Sequence, residues 1–76
     1  MDIEGSYRKL LKRLAANIKK ARKARGLTQE EMATYGINYR HYQKIESGRY
    51  SPNLYTLHRL AKIFRVSIRE FLSKVD

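Results

Sequence analysis

Helical periodicity in this chain is cut by glycine at Gly26, Gly36 and Gly48. The first two cuts are each followed two residues later by a residue suited to cap a new helix, Thr28 and Asn38. This punctuation confines the middle of the chain to two short helices with a tight turn between them. Thr28 and Glu31 stand at the spacing of a capping box. The threonine hydroxyl can accept from the amide three residues on, and the glutamate can reach back to the threonine amide. Gln29, Glu30 and Glu31 open this second helix, and the two acids suit the positive end of the helix dipole. Met32 and Ala33 are expected to point inward, and the helix to end near Tyr35. Gly36 can take the left-handed conformation that such a stop requires. With Asn38 as N-cap, the third helix is expected from Tyr39 to about Ser47, stopping at Gly48.

Longer helices flank this pair. The first is expected from about Tyr7 to Arg25 with Ser6 as N-cap. Tyr7, Leu11, Leu14, Ile18, Ala21 and Arg22 fall on one face at helical spacing, and Lys12, Lys19 and Lys23 form an opposite stripe. Asn53 caps a fourth helix, Leu54 to Phe64, with an apolar stripe of Leu54, Leu57, Leu60, Ala61 and Phe64. Ser67 caps a short fifth, Ile68 to about Ser73. No segment alternates apolar and polar residues for long, so strands are not expected. The reading is all-α, one five-helix domain over residues 1–76, with a helix-turn-helix at about 28–47.

A chain of 76 residues buries only a modest core, and a partner subunit is a reasonable expectation. Helix five and the start of helix one supply the candidate homodimer surface: Leu10, Ile68, Phe71, Leu72 and Val75. There is no cysteine, which excludes disulfides and thiolate metal sites and fits a reducing cytoplasm. No stretch approaches the roughly 20 apolar residues of a membrane span, and the N-terminus lacks the apolar region of a secretory signal. Neither a membrane nor a secreted role is expected.

Lysine and arginine number 17 against 7 acids, a formal charge of +10 at pH 7. Nine of the basic residues and two of the acids lie at or before Arg25. A small domain this basic suggests a polyanionic partner, and nucleic acid is the usual one. The outer side of helix three is specific in its chemistry. It offers Tyr39, Arg40, Gln43 and Lys44 with no acid among them. Arginine can bond guanine O6 and N7 together, and glutamine can do the same at adenine N6 and N7.

Arg22 lies on the apolar stripe of helix one and Glu46 on the inner face of helix three, beside Tyr42 and Ile45. Each charge would be costly there alone, and pairing them resolves both anomalies. His41 and His58 lie on different helices and no cysteine helps them, so no metal site is expected. No nucleophile, base and orienting group come together, and no glycine loop suits a phosphate cofactor. Neither an enzyme nor a cofactor is expected.

Leu27-Thr28-Gln29-Glu30-Glu31-Met32-Ala33, Gly36-Ile37-Asn38, Ile45-Glu46-Ser47-Gly48, Pro52 and Leu57-His58-Arg59-Leu60-Ala61 together resemble the phage-repressor helix-turn-helix family of Cro/C1, Xre type. The likeness runs from about Leu14 to Leu72. It implies sequence-specific binding to double-stranded DNA by a homodimer, as a repressor or an autoregulatory controller, restriction-modification controllers included. An antitoxin-like module with a toxin as protein partner is the alternative. By the same resemblance Tyr39, Arg40 and Lys44 reach base edges, with Gln43 on the same face. Gln29, Thr28, Asn38, Ser47, Arg49 and Asn53 contact phosphates, and Arg22 and Glu46 form a structural bridge. One departure stands out. Only Thr34 and Tyr35 separate Ala33 from Gly36, where the family usually has three residues. Helix two is therefore expected to end early and helix three to enter a groove at a changed angle.

Overall fold

The structure is a computed structural model that describes residues 1–74. In chain order it contains α1 (Ile3–Ala24), a 3₁₀ segment (Glu30–Tyr35), α2 (Tyr39–Glu46), α3 (Leu54–Phe64) and a second 3₁₀ segment (Ile68–Leu72). The five expected helical segments are present, but the second and fifth wind as 3₁₀ rather than α.

The first helix starts a turn earlier than Ser6. Asp2 is the cap, its carboxylate accepting from the Gly5 amide at 2.8 Å. Ser6 lies inside the first turn and donates to the Ile3 carbonyl at 2.9 Å. Aspartate caps as well as serine and adds a full negative charge at the dipole's positive end.

The capping box at the next start is closed in both directions. The Glu31 amide donates to Thr28 Oγ1 at 3.2 Å, and the Thr28 amide donates to Glu31 Oε1 at 2.9 Å. The winding that follows answers the missing turn residue. A 3₁₀ helix rises about 2.0 Å per residue instead of 1.5, so fewer residues span a given length. Gly36 then closes the segment at φ 81°, with the Ile37 amide bonded to the Met32 carbonyl at 3.2 Å. At three residues per turn, neighbours diverge by about 120°. Met32 therefore faces fully inward while Ala33 is exposed, contrary to the expectation that both point in.

The core lies where α1, the helical hairpin formed by the first 3₁₀ segment and α2, α3 and the second 3₁₀ segment meet. Ile18, Met32, Tyr42, Ile45, Leu60, Phe64 and Phe71 are all but sealed from solvent, and each apolar side chain so buried is worth about 1.5–3 kcal/mol. Asn17 docks the last segment on α1, its amide donating to the Phe71 carbonyl at 3.0 Å and to that of Ser73 at 2.7 Å.

That docking changes the reading of the proposed dimer surface. Phe71 is 1% exposed and Ile68 packs partly against the core, so both serve the monomer. Leu10 and Leu72 remain exposed; Val75 lies outside the described residues. Two stripe assignments also change. Tyr7 is exposed rather than inward, and Leu54 stands in solvent at the start of α3, so the buried face of that helix begins at Leu57.

Candidate nucleic-acid interface

Asn38 sets where α2 begins, its Oδ1 accepting from the His41 amide at 3.0 Å. With that start, Tyr42 and Ile45 fall inward and Arg40, Gln43 and Lys44 fall outward and exposed. Tyr39 is half-buried and its hydroxyl accepts from Gln43 Nε2 at 2.9 Å. This bond ties the two side chains one turn apart and engages one of the two Gln43 amide hydrogens. Arg40, Gln43 and Lys44 line a shallow, open depression with Ser47, Arg49 and Tyr50, and no acid lines it.

The one acid of α2 is turned the other way. Glu46 Oε2 accepts from Arg22 Nε at 2.7 Å and Oε1 from Arg22 Nη2 at 3.2 Å. Gln29 Nε2 adds a bond to Oε1 at 3.0 Å, and the Tyr42 hydroxyl donates to Oε2. Arg22 Nη1 is spent on the Leu27 carbonyl at 2.6 Å. The Arg22 and Glu46 side chains are only 8% and 4% exposed. Burial pushes the Glu46 carboxyl up, but its bonds from Arg22, Tyr42 and Gln29 outweigh this and hold it below its ordinary value. The bond to Glu46 raises the Arg22 guanidinium in turn. Burial, helped by the carboxylate, pushes the Tyr42 hydroxyl up. The network closes the negative charge inside the hairpin and leaves the outer face of α2 to cations and amides.

The side chains assigned to phosphates divide into two groups. Thr28, Asn38 and Asn53 are caps whose oxygens are engaged, Asn53 Oδ1 by the Thr56 amide at 2.8 Å. Gln29 gives one amide hydrogen to Glu46. Ser47 Oγ donates to the Lys44 carbonyl at 2.5 Å and accepts from the Arg49 amide at 3.2 Å, which sets the start of the loop after α2. Arg49 is exposed.

Several groups around this face escape a reading of the sequence. Tyr7 donates its hydroxyl to Ser51 Oγ across 44 positions, a contact with no local signal. His41 meets the Tyr50 ring edge to face, with centroids 5.2 Å apart. The Tyr42 to Glu46 bond could have been found, since the two stand one helical turn apart on the same face. Arg59 reaches the Tyr35 carbonyl at 3.1 Å and lies 5.8 Å from the Tyr55 ring, tying α3 to the turn of the hairpin. His58 lies exposed on α3.

A short 3₁₀ segment and a short α-helix, held at a glycine turn with the second helix presenting a basic outer face, define a helical DNA-binding module of the helix-turn-helix class. The comparison with known families agrees: the helix-turn-helix family model matches residues 18–71, and the chain belongs to this family in its Xre/Cro/C1-type form. It is 35% identical over 66 residues to an uncharacterized HTH-type transcriptional regulator, y4dJ, of Sinorhizobium fredii, covering 86% of each chain. It is 46% identical over 46 residues to an uncharacterized HTH-type transcriptional regulator of Methanothermobacter thermautotrophicus, covering 59% of this chain and 67% of the relative. No solved structure matches. Among the described residues, no helix is long and apolar enough to cross a membrane.

Proposed function

We propose that this protein is a transcriptional regulator that binds double-stranded DNA sequence-specifically, as a homodimer on a two-fold related operator. The observation that carries the reading is the outer face of α2. Arg40, Gln43 and Lys44 are exposed together, while the helix's only acid is closed off by Arg22, Gln29 and Tyr42. An α-helix of this kind fits the major groove, where arginine and glutamine discriminate guanine and adenine. Tyr39, held by Gln43, orders the first turn of the helix and offers its ring to a thymine methyl or its hydroxyl to a phosphate. The second hydrogen of the Gln29 amide, Ser47, Arg49 and the cap amides beside Thr28, Asn38 and Asn53 serve the flanking backbone. The two relatives named as transcriptional regulators support the regulatory half of the reading.

Of the candidate dimer residues that the structure describes, Leu10 and Leu72 are exposed and stay free for subunit contact once Phe71 and Ile68 are committed to the core. Selection of bound duplexes from a random pool, with the mass of the protein–DNA complex measured, tests the whole reading. The expected result is a two-fold motif with half-sites about 34–36 Å apart and two chains per duplex. Binding with no preferred sequence would contradict specificity, and one chain per duplex would contradict the dimer.

A further inference from the structure

We propose that the first half of α1 is a second part of the DNA-binding surface. Tyr7 positions the loop after α2, and Arg8 and Lys12 contact backbone phosphates continuous with those met by Arg49. This rests on the DNA-binding reading above and assigns it residues that precede the segment matched by the family model, 18–71.

Three observations converge on this part of α1. The Tyr7 hydroxyl donates to Ser51 Oγ, in the middle of the loop that follows α2. Tyr7 is 43% exposed, so core packing does not account for it; its polar tip is committed to the loop. Second, Gly48 (φ 77°) sits against α1: a Cβ there would stand 3.5 Å from the Lys12 Cα and 3.7 Å from the Ala15 Cβ. The end of α2 therefore abuts the side of α1 that carries Lys12, and Arg8, one helical turn earlier, shares that side. Third, Arg8 and Lys12 are both exposed, and neither takes part in an ion pair among the described residues.

The loop itself is held from several sides. Pro52 is buried, the Tyr50 ring meets His41, and Ser47 Oγ fixes the Arg49 amide. Tyr7 completes the set from α1. The depression along α2 ends at Arg49 and Tyr50, next to the points where Gly48 and Ser51 meet α1 at Lys12 and Tyr7. Closest in sequence are the acids Asp2 and Glu4 at the start of α1, where Asp2 is engaged as the cap. A phosphate chain leaving the groove at Arg49 thus finds Arg8 and Lys12 ahead of it, one helical turn apart on α1.

The test uses the full chain and the duplex selected above. The slope of log affinity against log salt counts phosphate contacts, at about 0.9 for each. Arg8→Gln with Lys12→Gln is expected to lower that slope by nearly two contacts and leave the preferred sequence unchanged. Lys20→Gln with Lys62→Gln, which removes the same charge elsewhere, is expected to leave the slope near that of the wild type. Tyr7→Phe is expected to weaken binding about three- to tenfold at an unchanged melting temperature and unchanged slope. Equal slopes for the two double variants overturn the phosphate contacts, and wild-type affinity for Tyr7→Phe overturns the positioning role. These failures leave the role of α2 standing if Arg40→Ala still loses affinity and base preference. A wild-type chain that binds no duplex overturns both readings together.

Discussion

Arg22 and Glu46, 24 positions apart, join α1 to α2 through two parallel hydrogen bonds of 2.7 and 3.2 Å. The pair locks the rotation of α2 on the body of the protein. It thereby decides which side chains the helix shows to the outside. Buried pairs of this kind contribute little net stability against an apolar substitute of both partners, but breaking one from a single side leaves a charge uncompensated.

Arg22→Met is therefore expected to cost about 3–5 kcal/mol, a large share of what a domain this small has to spare. Thermal or urea unfolding reads it directly. A melting temperature equal to that of the wild type would show that Tyr42 and Gln29 alone satisfy the carboxylate.

The same network sets a pH dependence with two limbs. The Glu46 carboxyl is held below its ordinary value. Its contribution is fully present above that value, about 4.3, and is lost as pH falls below it and through the folded value. The Tyr42 hydroxyl is pushed the other way. Its contribution is fully present below the ordinary tyrosine value, about 10, and is lost progressively above it. Urea midpoints measured across pH should fall on both sides, and Glu46→Gln should flatten the acid limb. An acid limb of unchanged steepness in that variant would assign it to other carboxylates.

Arg40→Ala is expected to weaken operator binding by about 1–3 kcal/mol and to relax preference at one base pair of each half-site. Repeating the selection with the variant checks both. The same motif returned at unchanged affinity would remove Arg40 from base readout.

Arg65 ends α3 in the left-handed conformation, φ 59°, with the Val66 amide bonded back to the Ala61 carbonyl at 3.0 Å. Glycine takes this position without steric cost. Arg65→Gly is expected to raise stability by about 1 kcal/mol, read as a higher urea midpoint. A lower midpoint would mean that the arginine side chain contributes more than its backbone costs.

Signals carried over three or four residues were legible in the sequence. The Thr28–Glu31 box, the Asn38, Asn53 and Ser67 caps and the turn at Gly36 all depend on neighbours along the chain, and their chemistry is local. The outward set on α2 was legible for the same reason, since helical spacing separates Arg40, Gln43 and Lys44 from Tyr42 and Ile45. Other local choices were underdetermined. Asp2 and Ser6 are equally good caps, and a six-residue segment is too short for its apolar spacing to tell a period of 3.0 from one of 3.6.

Tertiary structure decided whatever depended on segments meeting at a distance. Phe71 reads as a residue for a partner subunit until Asn17 is seen to hold its segment on α1. Tyr7 reads as core until its hydroxyl is found on Ser51. Burial is a property of what packs over a side chain, and that covering comes from elsewhere in the chain. The sequence by itself determined the helical segments, their caps and the charge they carry. Which of the remaining apolar faces closed, as at Phe71, and which stayed open, as at Tyr7, followed only from how those segments pack.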